Sequence, residues 1–220
     1  MKSAKKNVIQ RPKLPRKLPA SVISSLEEGQ EYVSIKLSNC NLSNQKANNI
    51  LFEEVLMKQV LFTGARLPKL RLFDARLESC DISGALFEES RLRHVELIGC
   101  RLMGVQFFSA QMDDVLFRDC NLKSAIFAAS ENSFLRFENS SLTNASFEGG
   151  DLRKTIFRQC DLTSANFINA KLDKTDFRSS TINEIQLTVK NAEGMIISTS
   201  QAIQIAGLLG VRVLDEDLNE

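Results

Sequence analysis

The sequence is poor in several features that mark common protein classes. It has one histidine, no tryptophan, and no apolar run near the roughly 18 residues that a membrane-spanning helix needs. Prolines follow the basic start at residues 1–6, where a signal peptide would have its apolar stretch. We therefore expect an intracellular protein, in the cytoplasm and without a membrane partner, whose five cysteines are reduced thiols.

Motifs of catalysis and cofactor binding are also missing. The sequence contains no Gly-x-Ser-x-Gly element, no P-loop and no dinucleotide-binding fingerprint. It has no Cys-x-x-Cys pair that would support a zinc site. We therefore predict that the protein is not an enzyme, and we assign no catalytic residue, no cofactor and no metal site.

Charge is nearly balanced overall but is unevenly placed. Twenty-eight lysine and arginine residues face 27 aspartate and glutamate residues, for a net charge of +1. Residues 1–19 hold seven bases and no acid, whereas residues 35–187 hold 19 bases and 19 acids. Because the balanced body offers neither a basic stripe nor aromatic stacking platforms, we do not expect it to bind nucleic acid.

A five-residue repeat organises most of the chain. Every fifth residue from Leu37 to Leu187 is a large apolar side chain at 29 of 31 positions, with Ala47 and Asn132 as the exceptions. The residue two positions earlier is mostly small. A period of five fits neither a helix at 3.6 residues per turn nor a strand at 2.0, so the chain must turn a corner every five residues.

A second period of twenty residues sets the size of one coil. Phenylalanine recurs at 87, 107, 127, 147 and 167, and cysteine at 80, 100 and 120. Twenty residues make four sides of five, and like residues stack on like from coil to coil. The corner, two residues after each apolar centre, is rich in Gly, Asp and Asn, which favour turns. The pattern predicts an all-β solenoid of about eight coils.

These units resemble a known family. Residues 125–129 (AIFAA), 145–149 (ASFEG), 160–164 (CDLTS) and 165–169 (ANFIN) are similar to the A(D/N)LxX unit of pentapeptide repeat proteins. The likeness extends over residues 35–190. It implies a right-handed quadrilateral β-helix, in a family whose best-known branch looks like duplex DNA and protects DNA gyrase from quinolones.

The two ends differ from the repeat. Residues 1–34 form a basic, proline-containing arm, interpreted as a solvated extension, a strap along the coils or a contact for an acidic partner. Residues 191–220 contain a predicted helix at about 199–209 that ends at Gly210, followed by a short strand at 211–214. The helix either caps the last coil or forms a homodimer interface. Its apolar stripe consists of Ala202, Ile205, Ala206 and Leu209.

Several residues receive structural interpretations from this register. His94 and the acidic pairs at 53–54, 88–89 and 113–114 are expected to be exposed turn residues. The stacked cysteines are expected to be buried free thiols, with a metal or redox role as the alternative. Asn132, in an apolar column, needs a bulge or a backbone hydrogen bond, and Phe134 is expected to rotate into the space beside it.

One side of the predicted coil is the candidate partner surface. It is centred on the buried phenylalanines 87 to 167, and its outward residues from 86 to 169 include Glu88, Glu89 and Glu148 but no base. Surfaces that are poor in charge and expose aliphatic and aromatic groups are typical of protein interfaces. The alternative is that the side packs under the arm or in a self-dimer. The candidate residues are Leu86, Phe108, Ile126, Ala128 and Ile168.

Two functional hypotheses follow. The first is a rigid protein-binding or scaffold module whose partner the sequence does not identify. The second, from the family resemblance, is a DNA mimic that binds or protects DNA gyrase or another topoisomerase. Mimicry requires a densely negative surface, since DNA carries about one charge per 1.7 Å of its axis. The balanced coils and the basic arm therefore favour the first hypothesis.

Overall fold

The computed structural model describes residues 9–208 and 210–213, and most of that range winds as a four-sided parallel β-helix. Residues pair with those 20 positions further on, as Leu72 does with Leu92 and Leu92 with Met112. The ends of one inward column, Leu37 and Phe177, lie seven turns apart, close to the eight coils predicted. The all-β solenoid with a short C-terminal helix is confirmed.

Ten strands form one parallel sheet around the coil. The four longest, β6 to β9, have eight residues each and cover two sides and the corner between them. The other two sides are held mainly by isolated bridges, such as Leu61 with Asp81 and Leu86 with Gln106. The strands are β1 (Ala20–Ser21), β2 (Glu31–Val33), β3 (Lys36–Ser38), β4 (Leu51–Glu53), β5 (Leu56–Lys58), β6 (Arg71–Glu78), β7 (Arg91–Ile98), β8 (Gln111–Arg118), β9 (Glu131–Glu138) and β10 (Ile156–Arg158).

The corners explain the turn-forming residues of the repeat. Nearly every corner residue has a left-handed backbone, with φ of 58° at Asn44 and 57° at Asn144. Asn, Asp and Gly tolerate this conformation better than other residues. Gly64 is doubly constrained, because a Cβ there would lie 2.7 Å from the Asn44 side-chain oxygen on the preceding coil. The corner sequence therefore selects both backbone conformation and clearance between coils.

Two phenylalanine stacks fill the core. Phe107, Phe127, Phe147 and Phe167 are fully buried and stack face to face, with ring centroids 5.1 to 5.4 Å apart. This arrangement confirms the predicted register. A second stack, Phe117 to Phe177, meets the first edge to face. Stacked and edge-to-face contacts are the two geometries that aromatic pairs prefer.

The cysteines are small core residues. All five are buried and free, and Cys100 Sγ donates to the carbonyl oxygens of Leu77 and Ile98, at 3.5 Å each. Burial raises the pKa of the Cys160 thiol to about 11. At neutral pH, only a small fraction of a thiol with so high a pKa is ionised to the reactive thiolate, which fits a packing role.

Two threonines in one inward column differ in their hydrogen bonding and yield a prediction. Thr175 Oγ1 donates to Leu152 O at 2.8 Å, whereas the buried Thr155 Oγ1 makes no hydrogen bond. Thr155→Val should raise the free energy of unfolding by about 1 kcal/mol, because an unpaired buried hydroxyl is replaced by a methyl group. Thr175→Val should lower it by a similar amount. Chemical denaturation measures both, and shifts of the same sign would contradict the assignment.

The C-terminal helix lies against the last coil. After a 3-10 turn at Lys190–Ala192, helix α1 (Thr199–Leu208) begins beyond Ser198, whose Oγ accepts the Gln201 N–H at 3.3 Å. Gln201 Nε2 donates to Phe177 O and Ser180 O of the last coil, at 2.8 and 2.7 Å. A dimer at this end stays a prediction.

The residues of the apolar stripe predicted for this helix differ in burial. Ile205 is buried and Ala206 is half-buried, but Ala202 is exposed and Gln201 takes the inward position. An amide is needed there because the last coil has no successor to pair with its carbonyl groups. Residues 211–213 are exposed and form no strand. Leu209 and Leu214 lie outside the described residues. Over the described range, no helix is long and apolar enough to cross a membrane.

The basic arm is a strap over residues 9–19. Lys13 N donates to Asp74 Oδ1 and Gln10 N donates to Asp114 Oδ1, each at 2.8 Å. The strap then joins the sheet where Ala20 pairs with Lys36. Of the three interpretations of the arm, the structure shows the strap. Residues 1–8 lie outside the described range.

Candidate functional site

The low-charge side is one flat wall of the solenoid, centred on the buried column Phe87 to Phe167. Its outward side chains form two rows, because residues 20 apart lie about 4.8 Å from each other on adjacent coils. One row pairs Leu86 with Gln106 and Gln106 with Ile126. The other row runs Glu88, Phe108, Ala128, Glu148 and Ile168. Five apolar side chains thus share one wall, as the sequence predicted.

Exposure within the wall is uneven. Phe108 has 49% of its surface exposed, and it is the largest accessible apolar group on this side. Leu86, Ile126, Ala128 and Ile168 are each half-buried. An aromatic ring that stands out from a shallow apolar surface is typical of the anchor residues of protein interfaces.

The other walls carry interleaved ion pairs. On the wall opposite the low-charge side, Arg76 lies 3.1 Å from Glu96 and Arg118 lies 2.9 Å from Glu138, in each case one coil apart. Other pairs lie two residues apart within a coil, and Arg153 holds the pKa of Asp151 below its usual range. These pairs neutralise one another, so the charged walls present no continuous field of one sign.

The strap does not cover the low-charge side. It lies at the corner formed by Asp74 and Asp114, between two other walls. The alternative that this side packs under the arm is therefore wrong for residues 9–19. A self-dimer through this side stays untested.

The corner under the strap was not identified as a site from the sequence. His94 Nδ1 lies 3.2 Å from Asp74 Oδ1, and His94 Nε2 lies 4.0 Å from Asp114 Oδ2. The prediction that His94 is exposed is wrong, because only 15% of its side chain is accessible. The prediction that Asp114 is a solvated turn residue is also wrong, since it is buried under the strap.

Asn132 marks an irregularity in the wall between the low-charge side and this corner. Its Nδ2 donates to Asp151 O at 3.1 Å and to Ser130 Oγ at 2.9 Å, which confirms the expected backbone hydrogen bond. Phe134 does not fill the space beside it, because this residue occupies a left-handed corner and 39% of it is exposed. A shallow groove of about 690 Å³ remains at Asn132.

Metal binding has no candidate among the described residues, where no three His, Cys, Asp or Glu side chains converge in an arrangement that could hold an ion. The buried thiols donate to backbone carbonyl groups instead.

Comparison with known proteins agrees with the geometry. A family model described as a pentapeptide repeat region matches residues 70–147, and a model of eight pentapeptide repeats matches residues 140–178. No curated protein sequence matches the chain.

Two solved structures illustrate the likeness. Trypsin-treated QnrB1, a plasmid-mediated fluoroquinolone resistance protein, is 20% identical to this chain, with a TM-score of 0.50. The match covers 89% of this chain and 99% of the QnrB1 chain. HetL, a pentapeptide repeat protein involved in the regulation of heterocyst differentiation, from the cyanobacterium Nostoc, is 18% identical to this chain, with a TM-score of 0.42. The match covers 81% of this chain and 91% of the HetL chain. At such identity the QnrB1 likeness shows the fold alone. With its register, its corners and the two matching family models, the chain belongs to the pentapeptide repeat family.

Proposed function

We propose that this protein is a rigid, non-enzymatic binding module that engages a protein partner through its low-charge side. The observation that carries the proposal is the wall itself. It presents an exposed aromatic ring among half-buried apolar groups, and its outward side chains between residues 86 and 169 include no base and three exposed acids, Glu88, Glu89 and Glu148. Away from these carboxylates, desolvating the wall costs less than desolvating the ion-paired walls, so a partner gains most from contact at Phe108, Ile126 and Ala128.

The core supports a rigid presentation of this wall. Phe107 and Phe127, directly behind Phe108 and Ile126, are fully buried and stacked. Close packing leaves such side chains few alternative positions. The wall therefore loses little conformational entropy when a partner binds, which favours affinity for a modest contact area.

A DNA mimic that occupies a topoisomerase is the second hypothesis, and the charge distribution does not favour it. QnrB1 is a plasmid-mediated fluoroquinolone resistance protein, but the likeness of this chain to it concerns the fold. In this chain Lys58 pairs with Glu78 and Arg101 with Asp81 across coils. Carboxylates that are neutralised in this way do not reproduce the uniform negative potential of a DNA duplex.

Photo-crosslinking tests the proposal. A benzoylphenylalanine at position 108 replaces a ring by a larger ring and should crosslink a discrete partner in the native host. The matched control places the same group at Met103, which is 44% exposed on the neighbouring wall. Met103 directly follows the buried central residue of its wall, as Phe108 does on the low-charge side. No adduct at 108, or the same adduct at both positions, would refute the proposal. A topoisomerase adduct at 108 would instead support the second hypothesis.

A further inference from the structure

The strap is held to the solenoid mainly through its backbone. The Lys13 and Gln10 N–H groups each donate to a corner aspartate, Asp74 and Asp114 respectively. Backbone donors are present in any residue other than proline. The corner therefore recognises the direction of an extended chain and the spacing of its N–H groups more than a particular side chain.

The spacing of strap and coils matches. Gln10 and Lys13 are three residues apart, and an extended or polyproline chain advances about 3.1–3.3 Å per residue, or about 9–10 Å in total. Asp74 and Asp114 are two coils apart, which is about 9.6 Å at the inter-strand spacing. Pro12 and Pro15 share the three-residue period of a polyproline helix, and both are half-buried. Two strap residues that are three positions apart thus meet two aspartates that are two coils apart.

His94 completes the corner column between the two aspartates. It contacts Asp74 through Nδ1 and approaches Asp114 through Nε2, at 3.2 and 4.0 Å. All three residues have left-handed backbones, with φ of 46°, 51° and 54°. The shared corner conformation directs the three side chains to the same edge, where the imidazole lies between the two carboxylates. The acceptors for the strap are therefore pre-positioned.

Charge complements this geometry. Arg11 of the strap lies 3.7 Å from Glu96, a glutamate whose side chain is only 6% exposed. The two accepting carboxylates, Asp74 and Asp114, belong to the same edge. Opposite charge steers the approach of a basic segment and fixes its register.

We propose that the corner column of Asp74, His94 and Asp114 is a binding track for extended, basic, proline-spaced segments of partner proteins, and that the strap occupies it in cis. This site is separate from the low-charge side and does not depend on the function proposed for that side. Two backbone hydrogen bonds and one long ion pair hold residues 10–13. A tethered segment holds such a site through its high effective concentration, so a segment with similar contacts can compete for it.

Binding of a labelled peptide with the sequence of residues 9–20 to the full chain tests the proposal by fluorescence anisotropy. Lys13→Pro removes the N–H that Asp74 accepts and weakens the strap, so the peptide should bind this variant at least tenfold more tightly than the wild type. Arg16→Pro is the matched control, because it also removes one base and one N–H but no described hydrogen bond. It should bind as the wild type does.

Two further variants locate the binding. A peptide carrying Gln10→Pro and Lys13→Pro keeps an extended shape but lacks both donors, and it should lose at least tenfold in affinity. Asp74→Asn with Asp114→Asn in the Lys13→Pro chain should also weaken binding of the unmodified peptide. Equal affinity of the two peptides, or no gain from Lys13→Pro, would overturn the proposal. Phe108→Glu should leave peptide affinity unchanged, which separates this site from the low-charge side.

Discussion

Replacing Phe137 by alanine should lower the free energy of unfolding by about 3–5 kcal/mol, the usual range for removing a buried phenylalanine. The ring is fully buried and stacks on Phe117 and Phe157, at 5.0 and 5.1 Å between centroids. It also meets Phe127 and Phe147 edge to face. Both stacks therefore lose contacts at once, and the closed coil leaves the cavity little room to collapse.

Phe134→Ala is the matched control in the same coil. This ring is partly exposed at a corner, so we expect a loss of less than about 1 kcal/mol. Chemical denaturation followed by circular dichroism measures both variants. A Phe137→Ala loss as small as that of Phe134→Ala would contradict the assignment of Phe137 to the aromatic core.

Replacing Gln201 by leucine should lower the free energy of unfolding by about 2–5 kcal/mol. The change leaves Phe177 O and Ser180 O at the end of the solenoid without the amide that now donates to both. An unsatisfied buried carbonyl group costs about 1–3 kcal/mol. The leucine itself is compatible with a helix, so the loss measures the side-chain hydrogen bonds of Gln201, including the one that its Oε1 accepts from the Ser198 N–H at 2.8 Å, and not helix propensity.

Gln204→Leu is the control for this helix. Gln204 is exposed, and its amide makes one hydrogen bond, to Asn183 at 3.3 Å. Its replacement should change the free energy of unfolding by no more than about 0.5 kcal/mol. Thermal and chemical denaturation compare the two variants. Similar effects of the two substitutions would show that α1 does not protect the last coil through Gln201.

Much of the fold was predictable because a single register fixes it. Once every fifth residue is placed inward, Phe107 and Phe127 must stack, and Gly64 and Asn144 must lie at corners. Each of these positions has the predicted place in the structure. The helix was predictable from Ser198 and Gly210, because caps and stops are local signals.

Composition gave the strap as one of three interpretations of the arm and did not decide among them. Its attachment uses the N–H groups of Gln10 and Lys13, and every non-proline residue has such a group. The aspartates that accept them did carry a usable signal. Asp74, His94 and Asp114 are each 20 residues apart, so the register alone places them in one column. Treating each as a separate solvated turn residue concealed the cluster.

The register also left two side chains undetermined. It placed Asn132 inward and Phe134 at a corner, but it did not decide whether the phenylalanine would fill the space beside the amide. Asn132 instead bonds to Asp151 O and Ser130 Oγ. These bonds satisfy the amide nitrogen, whereas Asn132 Oδ1 is buried without a partner, and the corner conformation holds Phe134 outward. Such outcomes depend on hydrogen-bond geometry that a repeat pattern does not contain.

The proposed role of the low-charge side is tested most directly by comparing partner capture from the native host between two charge variants. Phe108→Glu with Ile126→Glu places two carboxylates on the low-charge side. Met103→Glu with Asn121→Glu places them at the corresponding positions of the neighbouring wall. The proposal predicts that a partner of the wild type is retained by the second variant and lost at least tenfold by the first. Equal retention or equal loss in the two variants would contradict it.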